Sequence, residues 1–250
     1  MRIGKTGCSI RNPKSEIRNS AMRHFVIAID GPAGAGKGTV AKLAAERLGF
    51  LYVDTGAMYR ALTLKALRKG LDLEDESALA GMARSTDLQL YPRPGGCGVR
   101  LDGQDVSEDI RTEEVSRNSH YIASTYAIRE IMWEMQRRYR ETSDLVMEGR
   151  DIGSIVFPDA QLKIYLDASV AERAARRYRQ LQEKGQPADI QEIEKDITAR
   201  DEKDRNRSIA PLLRLPDAVY IDSTSMTIAA EVDEIVRLYH ERVPTQTRES

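Results

Sequence analysis

The chain has 250 residues, 41% apolar and 31% charged, enough for one large globular domain, or a core with a smaller insertion, and too regular a composition for disorder. Its 38 Lys and Arg against 39 Asp and Glu leave a formal charge of −1, which excludes a bulk electrostatic footprint for nucleic acid or an anionic membrane. The absence of any run of about 18 apolar residues excludes an ordinary transmembrane helix, and two isolated cysteines, Cys8 and Cys97, form neither a zinc motif nor a disulfide scaffold and fit a reducing cytoplasm.

Residues 1–24 carry six basic groups and one acidic group, Glu16, which leaves −6 on the remainder. The segment has no apolar stretch for a secretory signal, and it repeats Ile-Arg-Asn at 10–12 and 17–19. Its acid-poor composition also suits a mitochondrial-type transit peptide. The expectation taken is a mobile basic tail or a mis-assigned start, with Met22 as the true initiator.

Residues 25–30 are a continuous apolar run ending in a glycine-rich turn, the pattern of a strand buried on both faces of a parallel sheet. The turn reads Gly31, Pro32, Ala33, Gly34, Ala35, Gly36, Lys37, Gly38, Thr39, and a helix follows with Val40, Leu43, Ala44 and Leu48 at helical spacing and Gly49 as its stop. Strand, glycine-rich loop and helix together predict a phosphate site. Glycines let backbone N–H groups converge on phosphate oxygens, the helix presents its positive end, and Lys37 reaches the terminal phosphates. The residue after Lys37 is Gly38, where the general P-loop has Ser or Thr, so magnesium coordination falls to Thr39 if the protein supplies a ligand at all.

Further strands are expected at 50–53, 145–148, 162–166 and 218–221, separated by helical sequence, which argues for a doubly wound parallel α/β sheet of about five strands. Residues 86–143 break the alternation: short strands at 86–91 and 99–101 flank a Pro/Gly-rich stretch at 92–96, and two helical segments follow, which reads as an inserted subdomain. Ser169-Val-Ala-Glu172 predicts a capping box. A second helical excursion from about 173 to 208 is crowded with arginine and broken by Gly185-Gln-Pro187, and Ile228, Ala229, Val232, Ile235, Val236 and Tyr239 form an apolar stripe on the last helix.

The Gly36-Lys-Gly-Thr39 ending is similar to the nucleoside monophosphate kinases. With Asp54-Thr-Gly-Ala-Met-Tyr-Arg60, Glu148-Gly-Arg-Asp151-Ile-Gly, Phe157-Pro-Asp-Ala160 and Arg200-Asp-Glu-Lys-Asp204-Arg-Asn-Arg207, the chain resembles a bacterial-type cytidylate kinase from residue 25 to about 240. The resemblance implies transfer of the γ-phosphoryl group of MgATP to CMP or dCMP in the cytoplasm by a monomer, with no nucleic-acid or membrane partner. It implies a P-loop NTPase-type core at 25–85 and 144–242, a monophosphate-binding insertion at 86–143, a helical lid at about 173–208 and a C-terminal tail at 243–250.

Phosphoryl transfer to an anionic phosphate needs positioning and cations more than a base. By match to the family's positions, Lys37, Arg60, Arg150 and Arg207 surround the transferring group, Arg60, Arg150 and Arg207 also grip the acceptor phosphate, and Thr55 lies at the acceptor site. Arg176, where the family's lid begins, joins residues 31–39 in binding ATP. Cytosine offers an N4 amino donor and N3 and O2 acceptors, which a carboxylate and a guanidinium complement; Asp151 and Arg129 match the family residues in those roles, and Arg200 and Asp204 those that reach the sugar hydroxyls. Two departures are His120, where some relatives place a serine near the base, and Glu148, a Walker-B-like acid where relatives often carry aspartate. Competing readings are a kinase for UMP or for an alcohol, with Asp54 as base, and an idle nucleotide-binding module. No Asn-Lys-x-Asp supports a GTPase.

Overall fold

The computed structural model describes residues 24–93, 96–183 and 185–243. The expected basic tail with its start at Met22, residues 244–250 of the C-terminal tail, and the middle of the 92–96 stretch lie outside the described residues.

Five parallel strands form the main sheet in the order β2, β6, β1, β7, β8: β1 (Val26–Asp30), β2 (Leu51–Asp54), β6 (Leu145–Gly149), β7 (Leu162–Asp167) and β8 (Val219–Asp222). All five residues of central β1 are buried, which explains the apolar run from Val26 to Ile29. Alternate side chains serve opposite faces. Ile27 and Ile29 pack on α1 (Lys37–Leu48) and α8 (Ile228–Arg242) through Val40, Ala44 and Ile235. Val26 and Ala28 pack on the other side with Met147, Ile152 and Trp133. No helix among the described residues is long and apolar enough to cross a membrane.

A separate core gathers α2 (Thr55–Arg68), α3 (Glu76–Arg84), the antiparallel strands β3 (Leu88–Arg93) and β4 (Gly96–Leu101), α4 (Glu113–Ser124) and α5 (Tyr126–Arg138) around Met58, Leu62, Leu79, Ile122, Ile128 and Met132. β5 (Gln104–Asp105) completes its small sheet. The remaining helices, α6 (Val170–Glu183) and α7 (Ile190–Asn206), form a pair beside the main sheet.

Four local expectations are corrected. β3 continues through Pro92 and Arg93, which pair with Cys97 and Gly96; β3 is an edge strand, where proline's missing N–H leaves no ladder bond unmade. Thr86 instead closes the end of α3, its hydroxyl donating to the Met82 carbonyl at 2.7 Å. The capping box is half formed: Ser169 Oγ accepts from Glu172 N at 3.2 Å, but Ser169 N donates to Thr224 Oγ1 while Glu172 takes Arg176. On α8 the stripe begins at Val232; Ile228 and Ala229 are exposed and Glu231 is buried in their place.

Candidate functional site

A cavity of about 1170 Å³ lies between the N-terminus of α1, helices α2, α4 and α5, and the α6–α7 pair. Its floor is the glycine-rich loop. Gly31 has no room for a side chain, because a Cβ there would stand 2.0 Å from the Leu166 carbonyl oxygen. Gly36 enters α1 in the left-handed conformation, φ 94°, and no side chain caps the helix, whereas Asp54, Asp75, Thr112, Asp189 and Thr227 cap α2, α3, α4, α7 and α8. α5 also lacks a side-chain cap, but the first N–H groups of α1 follow a glycine-rich loop that lines the cavity, which leaves them open to an anion. Ala33, Gly34, Gly36, Lys37, Gly38 and Thr39 line the cavity. Gly31, Pro32 and Ala35 form the buried rear of the loop, with the Pro32 and Ala35 carbonyls taking Lys37 Nζ and Arg176 Nη1.

Lys37 is 5% exposed, its ammonium 2.8 Å from the Pro32 carbonyl. Burial, with Arg150 beside it, pushes its pKa down; burial, with Asp54 nearby, pushes the Glu148 carboxyl up. Glu148 also accounts for Gly38, since a Cβ at that position would stand 3.3 Å from Glu148 Oε1 and 3.4 Å from the Tyr52 hydroxyl. A Ser or Thr there would crowd both, and the loop's hydroxyl falls to exposed Thr39.

The opposite wall is cationic. Arg60 Nη2 bonds Asp54 Oδ2 at 3.1 Å, while Asp54 Oδ1 caps α2. Thr55 is buried, donating to the Glu148 carbonyl at 2.7 Å. Arg150 Nε donates to Asp204 Oδ2 at 2.9 Å, and Arg207 Nη1 lies 3.7 Å from Asp204 Oδ1. Arg207 Nη2 is buried without a partner among the described residues; burial and then the Arg129 charge push its pKa down to about 10, so it stays charged at neutral pH. Arg129, 2% exposed, pairs with Asp151 Oδ2 at 3.0 Å and lies over the Tyr59 ring. Arg200 lines the cavity from α7. Arg176 is fully engaged, with Glu172, the Ala35 carbonyl and both Ser223 oxygens as acceptors. His120 is exposed on the rim, Nδ1 2.8 Å from the Arg117 carbonyl.

Residues far apart in sequence therefore meet in one cleft, and the structure adds some that sequence reasoning passed over. Asp30, 6% exposed, accepts the N–H groups of Ile152 and Gly153 at 2.9 and 2.8 Å, fastening the π-helical turn Ile152–Val156 that follows Asp151. Burial pushes its pKa up to about 6 despite those two bonds. Its one sequence signal was an acid ending a wholly apolar strand. Arg173, 2% exposed, ties α6 to the loop carbonyl of Ala33 at 3.0 Å and to Asp201 on α7 at 2.7 Å; within an arginine-rich run it could not be told from a solvated residue.

Glu231 is 1% exposed, and its Oε2 has no hydrogen-bond partner among the described residues. Burial, opposed by Arg176, pushes its pKa up to about 7 from 4.5. The unfolded chain gives up this proton first, so stability is lost as pH rises through that window. Glu231→Gln is expected to raise stability at pH 8 by on the order of 1–3 kcal/mol, with no gain at pH 4. Calorimetric melting at both pH values checks this; an equal gain at pH 4 and pH 8 would contradict it.

A family model described as cytidylate kinase matches residues 27–241. A cytidylate kinase from Shouchella clausii (strain KSM-K16) is 49% identical over 217 residues, 87% of this chain and 96% of that protein. One from Geobacillus kaustophilus (strain HTA426) is 47% identical over 221 residues, 88% and 99% of the two chains. Among solved structures, a shikimate kinase from Acinetobacter baumannii aligns with 87% of this chain and 94% of its own at a TM-score of 0.44 and 18% identity.

Proposed function

Because the chain belongs to the cytidylate kinase family and transfers a phosphoryl group from ATP to CMP or dCMP, we propose that the cleft divides into a donor half on the glycine-rich loop and an acceptor half against Arg129 and Asp151. An oxygen of the CMP phosphate forms the new bond to Pγ while the bond from Pγ to the β–γ bridging oxygen breaks. ADP leaves with that electron pair, and CDP forms. The attacking oxygen is already anionic, so Asp54 caps α2 and holds Arg60 and has no proton to remove.

In the donor half the N–H groups from Gly36 to Thr39 receive the phosphates of ATP, and Lys37 turns from the Pro32 carbonyl to the γ-phosphoryl oxygens. Arg60, Arg150 and Arg207 face the two phosphates from the other side, where their planar forks pair with oxygens two at a time. Asp204 holds Arg150 and Arg207 in the cleft, and with Arg200 it meets the sugar hydroxyls. Thr55 fixes the backbone of β6 beside the acceptor.

The residues present fit magnesium carried on ATP. Thr39 offers a hydroxyl to the cavity and Glu148 a carboxylate beside Gly38, a small set of hard oxygen donors that suits an ion whose other ligands are phosphate oxygens and water. When bound, the ion neutralises charge on the β- and γ-phosphates.

We further propose a doubly wound P-loop core with α6 and α7 as the lid, at about 173–208, closing over both substrates to exclude water. Arg176 then exchanges the Ala35 carbonyl for ATP. The insertion at 86–143, packed with α2 and α3, forms the acceptor half. We take the enzyme to act as a monomer in the cytoplasm, which light scattering and fractionation check.

One observation carries the acceptor assignment: a buried carboxylate and guanidinium stand side by side at the cavity wall. ADP release with MgATP and, in parallel, CMP, dCMP, UMP, AMP or no acceptor tests it. Turnover is expected with CMP and dCMP, with UMP at least about 10²-fold lower in kcat/KM, because uracil O4 would face the carboxylate. Equal use of CMP and UMP would contradict the assignment.

A further inference from the structure

The carboxylate assigned to the base is held from behind by a residue outside the motifs that carry the family likeness. Trp133 on α5 is 8% exposed, and its indole N–H donates to Asp151 Oδ2 at 2.7 Å. The same oxygen accepts Arg129 Nη1 at 3.0 Å. Asp151 lines the cavity, and its Oδ1 takes no hydrogen bond among the described residues. The backbone is fixed as well, because the Asp151 carbonyl accepts from Ile155 N and Val156 N at the π-helical turn.

The last torsion of an aspartate side chain is broad. One guanidinium donor leaves the carboxylate plane free to rock and to offer Arg129 either oxygen. A second donor on the same oxygen, from a rigid bicyclic ring packed in the core and edge-on to Tyr126, removes that freedom. Oδ2 is then saturated and Oδ1 is aimed. We propose that Trp133 is a positioning residue for acceptor selectivity: its N–H locks Asp151 so that one oxygen alone meets the exocyclic amino group of the acceptor base. This rests on Asp151 facing that base. The gain is preorganisation, since an acceptor already aimed reorganises nothing when the amino group arrives.

Trp133 is the single tryptophan of the chain, so a tryptophan analogue changes one position. Two variants test the idea: Trp133→Phe, and the protein with benzothienylalanine at 133, which keeps the bicyclic shape and loses only the N–H. In both, KM for CMP is expected to rise about tenfold and the CMP-over-UMP ratio of kcat/KM to fall about tenfold, the usual weight of one buried hydrogen bond to a charged group. KM for ATP stays unchanged, and kcat stays within about twofold because the phosphates are untouched. A role in packing alone would lower the melting temperature of the Phe variant and leave the ratio alone. An unchanged ratio in the folded benzothienylalanine protein overturns the proposal. Asp151→Asn in parallel separates the two failures: if it changes the ratio and the analogue does not, only the role of Trp133 falls, and if it too leaves the ratio unchanged, the base-facing reading of Asp151 falls and the proposal with it.

Discussion

Lys37→Met is expected to lower kcat by roughly 10³-fold or more with every acceptor while the protein stays folded. The ammonium is buried at the first position of α1, and the protein already opposes its charge through burial and Arg150. A cation kept under those conditions is worth most when negative charge is spread over the γ-phosphoryl oxygens in a cleft from which water is excluded. Methionine matches the length of the stem and removes the ammonium group. The Pro32 carbonyl loses its donor, at about 1–3 kcal/mol, while the burial of an opposed cation is relieved, so the melting temperature should move little. ADP release and calorimetry on the one variant separate the two effects. Activity within tenfold of the parent would remove Lys37 from the transferring group.

Asp151→Asn is expected to lower the CMP-over-UMP ratio of kcat/KM by about 10²- to 10³-fold, and to favour UMP in the limit. The direction follows from the two donors on Oδ2. Arg129 and Trp133 both present N–H groups to that position, so the amide oxygen of asparagine must occupy it and the amide nitrogen must face the base. A carboxylate that accepted from an amino group is replaced by an amide that donates to a carbonyl. Asp151→Ala tests less cleanly, because it leaves Arg129 buried and unpaired at a cost of about 3–5 kcal/mol. Steady-state kinetics with both nucleotides reads the outcome, and an unchanged preference would refute the pairing.

Much of the fold and of the cleft is legible in the amino-acid sequence, and the legible part is of one kind. The strand, the glycine-rich turn and α1 are written in consecutive residues, because backbone conformation, helix entry and phosphate geometry are local matters. The five strands of the main sheet are placed by their apolar runs for the same reason. Arg60, Arg129, Arg150, Asp151, Arg200, Asp204 and Arg207 are reached through the family's motifs, and the fold brings them to one cleft.

What escapes the sequence is partner choice. Asp30 and Ile152 are 122 positions apart, Arg176 and Ala35 141, and Trp133 and Asp151 18; no periodicity links such pairs. Proline in β3 is tolerable only because that strand lies at a sheet edge, and Glu231 becomes a buried acid only once α8 settles against the glycine-rich loop. Local backbone chemistry is set by neighbours along the chain, so it can be read from them. Which donor meets which acceptor, and which charge loses its water, is set by packing between elements, and that is decided only when the chain closes on itself.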